Sequence, residues 1–319
     1  MSRYSAGYEV LSIRDDRRGR PVLIDLWYPA DASNRETPCD YQPGFGLVAK
    51  NAKPVEEGSP LIVLSHGAFG AARNYSWIAE QLARNGYAVA GISHYGESFI
   101  YGPQTIDPGS ALQPWLRAQD CSFALDHLLA NGVFDGMFDR HRVGALGHSS
   151  CGATALELVG AVLDLASMQR YCLSEDSAHD KGCDYARGQV RNAPPTAIPA
   201  VCDGRIRAAV ALDPALGPGH TEQSLKAIKV PAYIVGAKEN DFLPYVHHAG
   251  RYARLTRGAQ HLMLERGEGH FVFLNEGQSD AQANGVALYK DRNGVSRAEV
   301  HEVLARAILA FLDSSLHRA

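Results

Sequence analysis

The chain has 319 residues, of which 45% are hydrophobic and 21% are charged, so it can bury a large core. Its 31 basic and 35 acidic residues give a net charge of -4, which argues against a nucleic-acid or anionic membrane partner. No stretch approaches the roughly 18 consecutive apolar residues of a transmembrane helix, and residues 1–7 lack the apolar segment of a signal peptide. We therefore expect a cytoplasmic protein without a membrane span.

Six cysteines occur, none of them in a Cys-x-x-Cys pair, so the sequence predicts no zinc site and no other metal site. Cys172, Cys183 and Cys202 share one polar segment, where a bridge such as Cys172 to Cys183 would close a loop in an oxidising compartment. For a cytoplasmic protein, free buried thiols are the expected state.

Apolar runs that predict strands alternate with amphipathic stretches that predict helices along the whole chain. The first two runs, 8–13 and 21–28, predict an antiparallel pair joined by a charged turn. The later predicted strands are 61–65, 87–93, 142–146, 206–212, 231–235 and 261–265. The predicted helices are 75–85, 115–131, 153–159 and 297–312. This order predicts a doubly wound, mostly parallel α/β sheet in one domain, 1–319, with the polar segment 164–203 inserted as a cap.

The segment 147–152, Gly-His-Ser-Ser-Cys-Gly, lies between a predicted buried strand and a predicted helix. A strand that ends at Gly-x-Ser and turns directly into a helix is the sequence pattern of a nucleophile elbow. The turn is sharp, so the residues two positions before and after the serine must be small. Gly147 meets this demand, whereas Cys151 stands where glycine is expected. Ser149 is therefore the predicted nucleophile.

A histidine and two aspartates complete the candidate catalytic set. His270 follows the last predicted strand, where a loop can carry its imidazole over the sheet edge. Asp213 ends the strand 206–212, and Asp241 lies in the loop after 231–235. The acid must bind one ring nitrogen of the histidine while the other faces the serine. We favour Asp241, which lies in the loop directly before the final strand, and keep Asp213 as the alternative.

An oxyanion hole needs two backbone N–H donors aimed at the developing negative charge. Ser150, the residue after the nucleophile, is expected to supply one of them. The glycine-rich loop 66–70 follows the strand 61–65 and is expected to supply the other, from Ala68. Phe69 and His148, which adjoin these positions in the same two motifs, are predicted to contact the substrate.

Four motifs carry a resemblance that covers roughly residues 8–275: Ser-His-Gly-Ala-Phe-Gly at 65–70, Gly-His-Ser at 147–149, Glu-Asn-Asp at 239–241 and Gly-His-Phe at 269–271. With them the chain resembles the α/β-hydrolase superfamily. Within it, the similarity is to predicted dienelactone hydrolases, platelet-activating-factor acetylhydrolase-like enzymes and cutinase-like polyester hydrolases. Cutinase-like members place the acid at the position of Asp241, and acetylhydrolase-like members at that of Asp213. Dienelactone hydrolases use a cysteine where this chain has Ser149.

The resemblance implies hydrolysis of a small-molecule or lipid-like carboxylic ester through an acyl-enzyme, without a metal or an organic cofactor. An amidase, a peptidase or a thioesterase with the same triad is the alternative. A catalytically silent scaffold that binds a ligand or partner is a further reading, and the presence of both Ser149 and His270 argues against it. The identity of the substrate and the oligomeric state do not follow from the sequence.

Overall fold

The computed structural model describes residues 3–55, 58–130, 134, 136–187 and 198–316. Within these residues, one large sheet contains the following strands: β1 (Ser5–Asp15), β2 (Arg20–Ala30), β3 (Thr37–Asp40), β4 (Phe45–Lys50), β5 (Ser59–Ser65), β6 (Ala88–His94), β7 (Phe138–His148), β8 (Ile206–Leu212), β9 (Ala232–Ala237) and β10 (Gln260–Leu264). Their spatial order is β10-β9-β8-β7-β5-β6-β2-β1-β4-β3.

Neighbouring strands are parallel throughout the run β10-β9-β8-β7-β5-β6. Strand β2 is antiparallel to both β6 and β1. The predicted leading pair is therefore confirmed, with Tyr8 opposite Trp27. The chain order passes from β5 outward to β6 and then back to β7 on the other side of β5. A crevice forms at the carboxyl ends of the strands where the order reverses, and ligands of open α/β sheets bind there.

Helices cover both faces of the sheet, as the sequence predicts. They are α1 (Ser76–Arg84), α2 (Trp115–Leu128), α3 (Ser150–Glu157), α4 (Leu165–Cys172), α5 (Gly182–Arg187), α6 (Glu222–Ala227), α7 (Ala249–Leu255) and α8 (Arg297–Leu316). Successive side chains of β5 point to opposite faces. Ile62 and Leu64 pack in the core with α1 and α8, while Leu61 and Val63 pack in the core with α2 and α3. A strand buried on both faces reads as an unbroken apolar run, which is why the sequence reveals it.

The sequence did not predict the short elements. These are the edge strands β3 and β4, the helices α6 and α7, and a small hairpin of β11 (Gln282–Ala283) and β12 (Val286–Ala287). The described helices include none that is both long and apolar enough to cross a membrane.

The predicted cap, 164–203, contains the helices α4 and α5, and its residues 188–197 lie outside the described residues. A disulfide joins Cys172 at the end of α4 to Cys183 in α5. The expectation of free thiols is therefore wrong for these two residues, while Cys202 is a free, exposed thiol.

Candidate active site

Ser149 occupies a sharp turn between β7 and α3, with φ 58° and ψ -124°. Non-glycine residues rarely adopt a positive φ, and such strain is characteristic of functional turns. The geometry also explains the neighbouring glycine, because a Cβ on Gly147 would collide with the carbonyl oxygen of Cys151. The Cys151 side chain is fully buried, so the turn accommodates it where the motif expects glycine.

The register of the sheet brings Asp213 beside the elbow. β8 pairs directly with β7, and Leu212 lies opposite His148. The residues that follow, Asp213 and Ser149, are therefore neighbours at the same edge, and the Ser149 N–H donates to the Leu212 carbonyl at 3.0 Å. Asp213 also has a positive φ, 40°, a conformation that aspartate tolerates better than most residues.

His270 joins the serine to this aspartate. Its Nε2 lies 2.9 Å from the Ser149 Oγ, and its Nδ1 lies 2.5 Å from the Asp213 Oδ2. All three residues are buried, and Ser149 is 9% exposed. The preference for Asp241 as the residue that binds the histidine ring is therefore corrected, because Asp213, the alternative, makes that contact.

Asp241 binds the backbone instead: its Oδ1 accepts a hydrogen bond from the His270 N–H at 3.0 Å. The neighbouring Asn240 contacts the acid directly, since its side-chain amide donates to the Asp213 Oδ2. The Asp213 Oδ1 accepts from the Ala237 N–H at 3.1 Å. The motif at 239–241 thus supports both the Asp213 carboxylate and the His270 loop. The sequence did not reveal that Asn240 contacts the carboxylate while Asp241 binds the loop backbone.

The predicted substrate contact His148 also has a structural role that the sequence did not show. Burial and the nearby His270 hold the pKa of His148 well below its usual range, so its ring is neutral. Its Nε2–H donates to the His270 carbonyl at 2.9 Å, and its Nδ1 accepts from the Tyr75 hydroxyl at 2.8 Å. The Tyr75 oxygen in turn accepts from the Gly67 N–H at 3.1 Å. Tyr75 therefore links the loop 66–70 to the histidine, and no sequence motif marks it.

The two predicted oxyanion donors adjoin the nucleophile. Ala68 and Ser150 both line the same cavity as Ser149. Ser150 is the first residue of α3, where a backbone N–H has no partner within the helix. Neither N–H donates to another protein group within the described part of the chain. Phe69 has a positive φ of 61°, which turns the loop beside the serine.

Two cavities meet at Ser149. The larger is a cleft of about 530 Å³. Its wall includes the predicted contacts Phe69 and His148, and further aromatic side chains contribute: Tyr75, Phe99, Phe242, Phe271 and Tyr289. The smaller cavity, of about 80 Å³, lies toward Ser150. Its wall includes the cap residues Leu165, Met168 and Gly182. The site can therefore take two unequal groups, one on each side of the serine.

A second buried network of hydrogen bonds, the His94 relay, adjoins the loop 66–70. His94 contacts the Ser65 Oγ at 2.6 Å through Nε2 and the Asp120 Oδ2 at 3.0 Å through Nδ1. Burial lowers the pKa of His94, but hydrogen bonds to Asp120 and Cys151 outweigh it and raise the pKa to about 9. The backbone N–H of His94 donates to the His66 Nε2 at 3.0 Å. This relay is 4% exposed or less, so it supports the loop rather than contacting a substrate.

The relay predicts a pH-dependent stability. The pKa of His94 is about 9 in the folded protein and near ~6.5 when unfolded. The proton on His94 therefore makes its full contribution to stability below pH ~6.5. This contribution is lost as pH rises through about 9. We expect the free energy of unfolding to fall by about 3 kcal/mol between pH 6.5 and 9.5 from this residue. Urea titrations at both pH values measure it.

The matched variants are His94→Gln, which removes the buried titration, and His141→Gln, which removes an exposed histidine. The pH-dependent loss should shrink in His94→Gln and persist in His141→Gln. An equal loss in wild type and both variants would show that His94 is not charged in the folded protein.

Residues 47–122 match the family described as platelet-activating factor acetylhydrolase, isoform II. The structure is similar to that of a ferulic acid esterase from Streptomyces cinnamoneus, with a TM-score of 0.66 and 22% sequence identity. That similarity covers 99% of this chain and 92% of the esterase chain. No curated protein sequence matches significantly. The similarity to that esterase shows that this chain shares its fold, a mostly parallel α/β sheet with helices on both faces.

Proposed function

We propose that this protein is a serine hydrolase that cleaves carboxylic esters through an acyl-enzyme. The observation that carries the proposal is the continuous hydrogen-bonded chain from Ser149 through His270 to Asp213, with distances of 2.9 and 2.5 Å. A serine hydroxyl is a weak nucleophile unless an adjacent base accepts its proton. The match to the acetylhydrolase family and the likeness to an esterase agree with this reading.

The proposed acylation step uses this geometry. Because Nδ1–H of His270 donates to Asp213, Nε2 is free to accept the Ser149 proton. As the proton moves to Nε2, the Ser149 Oγ forms a bond to the ester carbonyl carbon, and the carbonyl oxygen becomes an oxyanion. The N–H groups of Ala68 and Ser150 are the proposed donors to that oxyanion. Asp213 stabilises the imidazolium.

The resulting tetrahedral intermediate then collapses, and the bond from the carbonyl carbon to the alcohol oxygen breaks. His270 donates its proton to the departing alkoxide, and the acyl group remains on Ser149. A water molecule then attacks the acyl carbon while Nε2 accepts its proton. Return of that proton to the Ser149 Oγ releases the acid and restores the enzyme. The proposed substrate is a small-molecule or lipid-like ester, with its bulkier, apolar group in the aromatic cleft.

A matched substrate series tests the reaction class. Butyrate is presented as its 4-nitrophenyl ester, its phenyl thioester and its 4-nitroanilide, and the purified protein is separately treated with a fluorophosphonate probe. We expect fastest turnover of the ester and a single probe adduct on Ser149, because only an activated serine reacts rapidly. Faster turnover of the thioester or the anilide would reassign the class, and no adduct with no turnover would contradict a serine hydrolase.

A further inference from the structure

The buried histidine of the loop 66–70, His66, has no part in the reaction described above. It is 1% exposed and lines neither the cleft nor the smaller cavity. Its Nδ1 lies 2.7 Å from the Gly67 carbonyl oxygen, and its Nε2 lies 3.0 Å from the backbone nitrogen of His94. Because its side chain is away from both cavities and bonds to the backbone of the loop, any effect of His66 on the reaction must pass through that loop.

The two partners of His66 fix the position of its proton. A backbone carbonyl can only accept a hydrogen bond, and a backbone N–H can only donate one. The Nδ1 of His66 therefore carries the proton that is donated to Gly67, while Nε2 accepts from His94. Burial and the nearby His94 hold the pKa of His66 well below its usual range. The ring therefore stays neutral and keeps this tautomer.

Two donors hold the carbonyl oxygen of Gly67. Besides the His66 Nδ1–H, it accepts the Gly70 N–H at 3.1 Å, a bond that closes the turn 67–70. The peptide bond between Gly67 and Ala68 is trans and planar, so the Ala68 N–H points in the direction opposite to this carbonyl. Holding the carbonyl oxygen of Gly67 therefore also fixes the direction of the Ala68 N–H.

The same peptide unit lies against the nucleophile. A Cβ placed on Gly67 would be 3.2 Å from the Ser149 Cβ. Ala68 lines both cavities together with Ser149, whereas His66 lines neither. The Gly67 carbonyl points to the buried His66 ring, so the opposed Ala68 N–H is directed to the side of the peptide that borders the cavities.

We propose that His66 is a positioning residue for the oxyanion hole: its Nδ1–H holds the Gly67 carbonyl and thereby aims the Ala68 N–H at the developing oxyanion. A donor of this kind acts where negative charge develops, so its alignment affects the transition state more than the bound ester. Loss of alignment should therefore lower kcat and leave KM nearly unchanged. The assignment rests on the proposed ester hydrolase function.

Two substitutions separate the two ring nitrogens of His66. In His66→Asn, the amide nitrogen lies near the position of Nδ1 and can still donate to Gly67, but the His94 N–H loses its acceptor. In His66→Gln, the amide oxygen reaches the position of Nε2 and can still accept from His94, but the Gly67 carbonyl loses its side-chain donor.

The two variants are compared by kcat and KM on 4-nitrophenyl butyrate. Complete loss of an oxyanion donor costs about 10² to 10³ in kcat. Because the Gly70 bond still holds the carbonyl in part, we expect His66→Gln to lower kcat by about 10 to 100-fold. His66→Asn should stay within about fivefold of the wild type, although it leaves a buried N–H unpaired and should be the less stable variant.

A transition-state analogue adds a readout that a loss of stability does not change. With 1,1,1-trifluoropentan-2-one, the Ser149 Oγ bonds to the ketone carbon, its proton passes to the His270 Nε2, and the ketone oxygen becomes an oxyanion in the hole. The Ki of this ketone should rise in His66→Gln by about the factor by which kcat falls, while the KM of the ester changes by less than about threefold.

His220→Gln is the matched control. His220 is also 1% exposed, its Nδ1 lies 3.1 Å from the Leu216 carbonyl oxygen, and it lines neither cavity. This variant should lower the unfolding temperature and leave both kcat and the Ki of the ketone near their wild-type values. An equal loss of kcat in the control would show that removal of any buried histidine has this effect, and it would overturn the positioning role.

The other outcomes each decide a defined statement. Wild-type kcat in His66→Gln, a loss in His66→Asn as large as in His66→Gln, or a constant Ki of the ketone while kcat falls overturns the role of His66. If neither variant folds, nitrogen-15 NMR of the histidine-labelled wild type decides: protonation of His66 at Nδ1 supports the role, and protonation at Nε2 overturns it. No ester turnover by the wild type, with no fluorophosphonate adduct, overturns the proposed function itself.

Discussion

Replacement of Ser149 by alanine is expected to reduce ester turnover by roughly 10⁵ to 10⁶-fold, because the variant has no oxygen to form the acyl-enzyme. The fold should persist, since the Ser149 backbone bonds to Leu212 and Ala215 do not involve the side chain. Single-turnover kinetics with a 4-nitrophenyl ester, together with thermal unfolding of both proteins, measure the two effects.

Ser150→Ala is the neighbouring control, because it removes a hydroxyl from the adjacent residue but keeps the backbone N–H that we place in the oxyanion hole. It should retain far more activity than Ser149→Ala. Retention of more than a few per cent of turnover by pure Ser149→Ala would contradict the acyl-enzyme mechanism.

The second large effect is expected at Asp213. Asp213→Asn should lower turnover about 10⁴-fold, because an amide beside Nδ1 stabilises the tautomer that leaves Nε2 protonated and unable to accept the serine proton. Asp241→Asn should cost far less, about tenfold or below, since an amide oxygen still accepts the His270 backbone N–H. Both variants are compared by kcat/KM on one substrate.

Thermal unfolding separates catalysis from folding in this pair. The Asp213→Asn variant retains an oxygen for the Ala237 N–H but loses the acceptor for the Asn240 amide, so its unfolding temperature is measured beside its turnover. A large loss of turnover in Asp241→Asn, with near-normal turnover in Asp213→Asn, would contradict this assignment. It would identify Asp241, the residue favoured from the sequence, as the triad acid.

The positions of Ser149 in its turn and of His270 after the last strand were predictable because their sequence signals are local. Ser149 lies in a turn whose residue types are dictated by steric crowding within a few residues, and His270 follows directly on the last strand. The sheet was predictable for a similar reason, since strands buried on both faces form unbroken apolar runs. The bounds of β8, Ile206–Leu212, coincide with the run read from the sequence.

The partner of the histidine was not predictable in this way. Asp213 and Asp241 each follow a strand, and the sequence contains no measure of which strand adjoins the elbow. The register decided it: β8 pairs with β7, while β9 lies one strand farther away. The contact of Tyr75 with His148 depends likewise on residues distant in the chain.

The sequence by itself thus determined the α/β architecture, the elbow serine and the histidine, because hydrophobic period and turn sterics act over a few residues. Only the tertiary structure decided that Asp213 binds the histidine ring and that Tyr75 links the loop 66–70 to His148. These outcomes depend on strand order and on packing between elements, which bring together residues that the linear order leaves far apart.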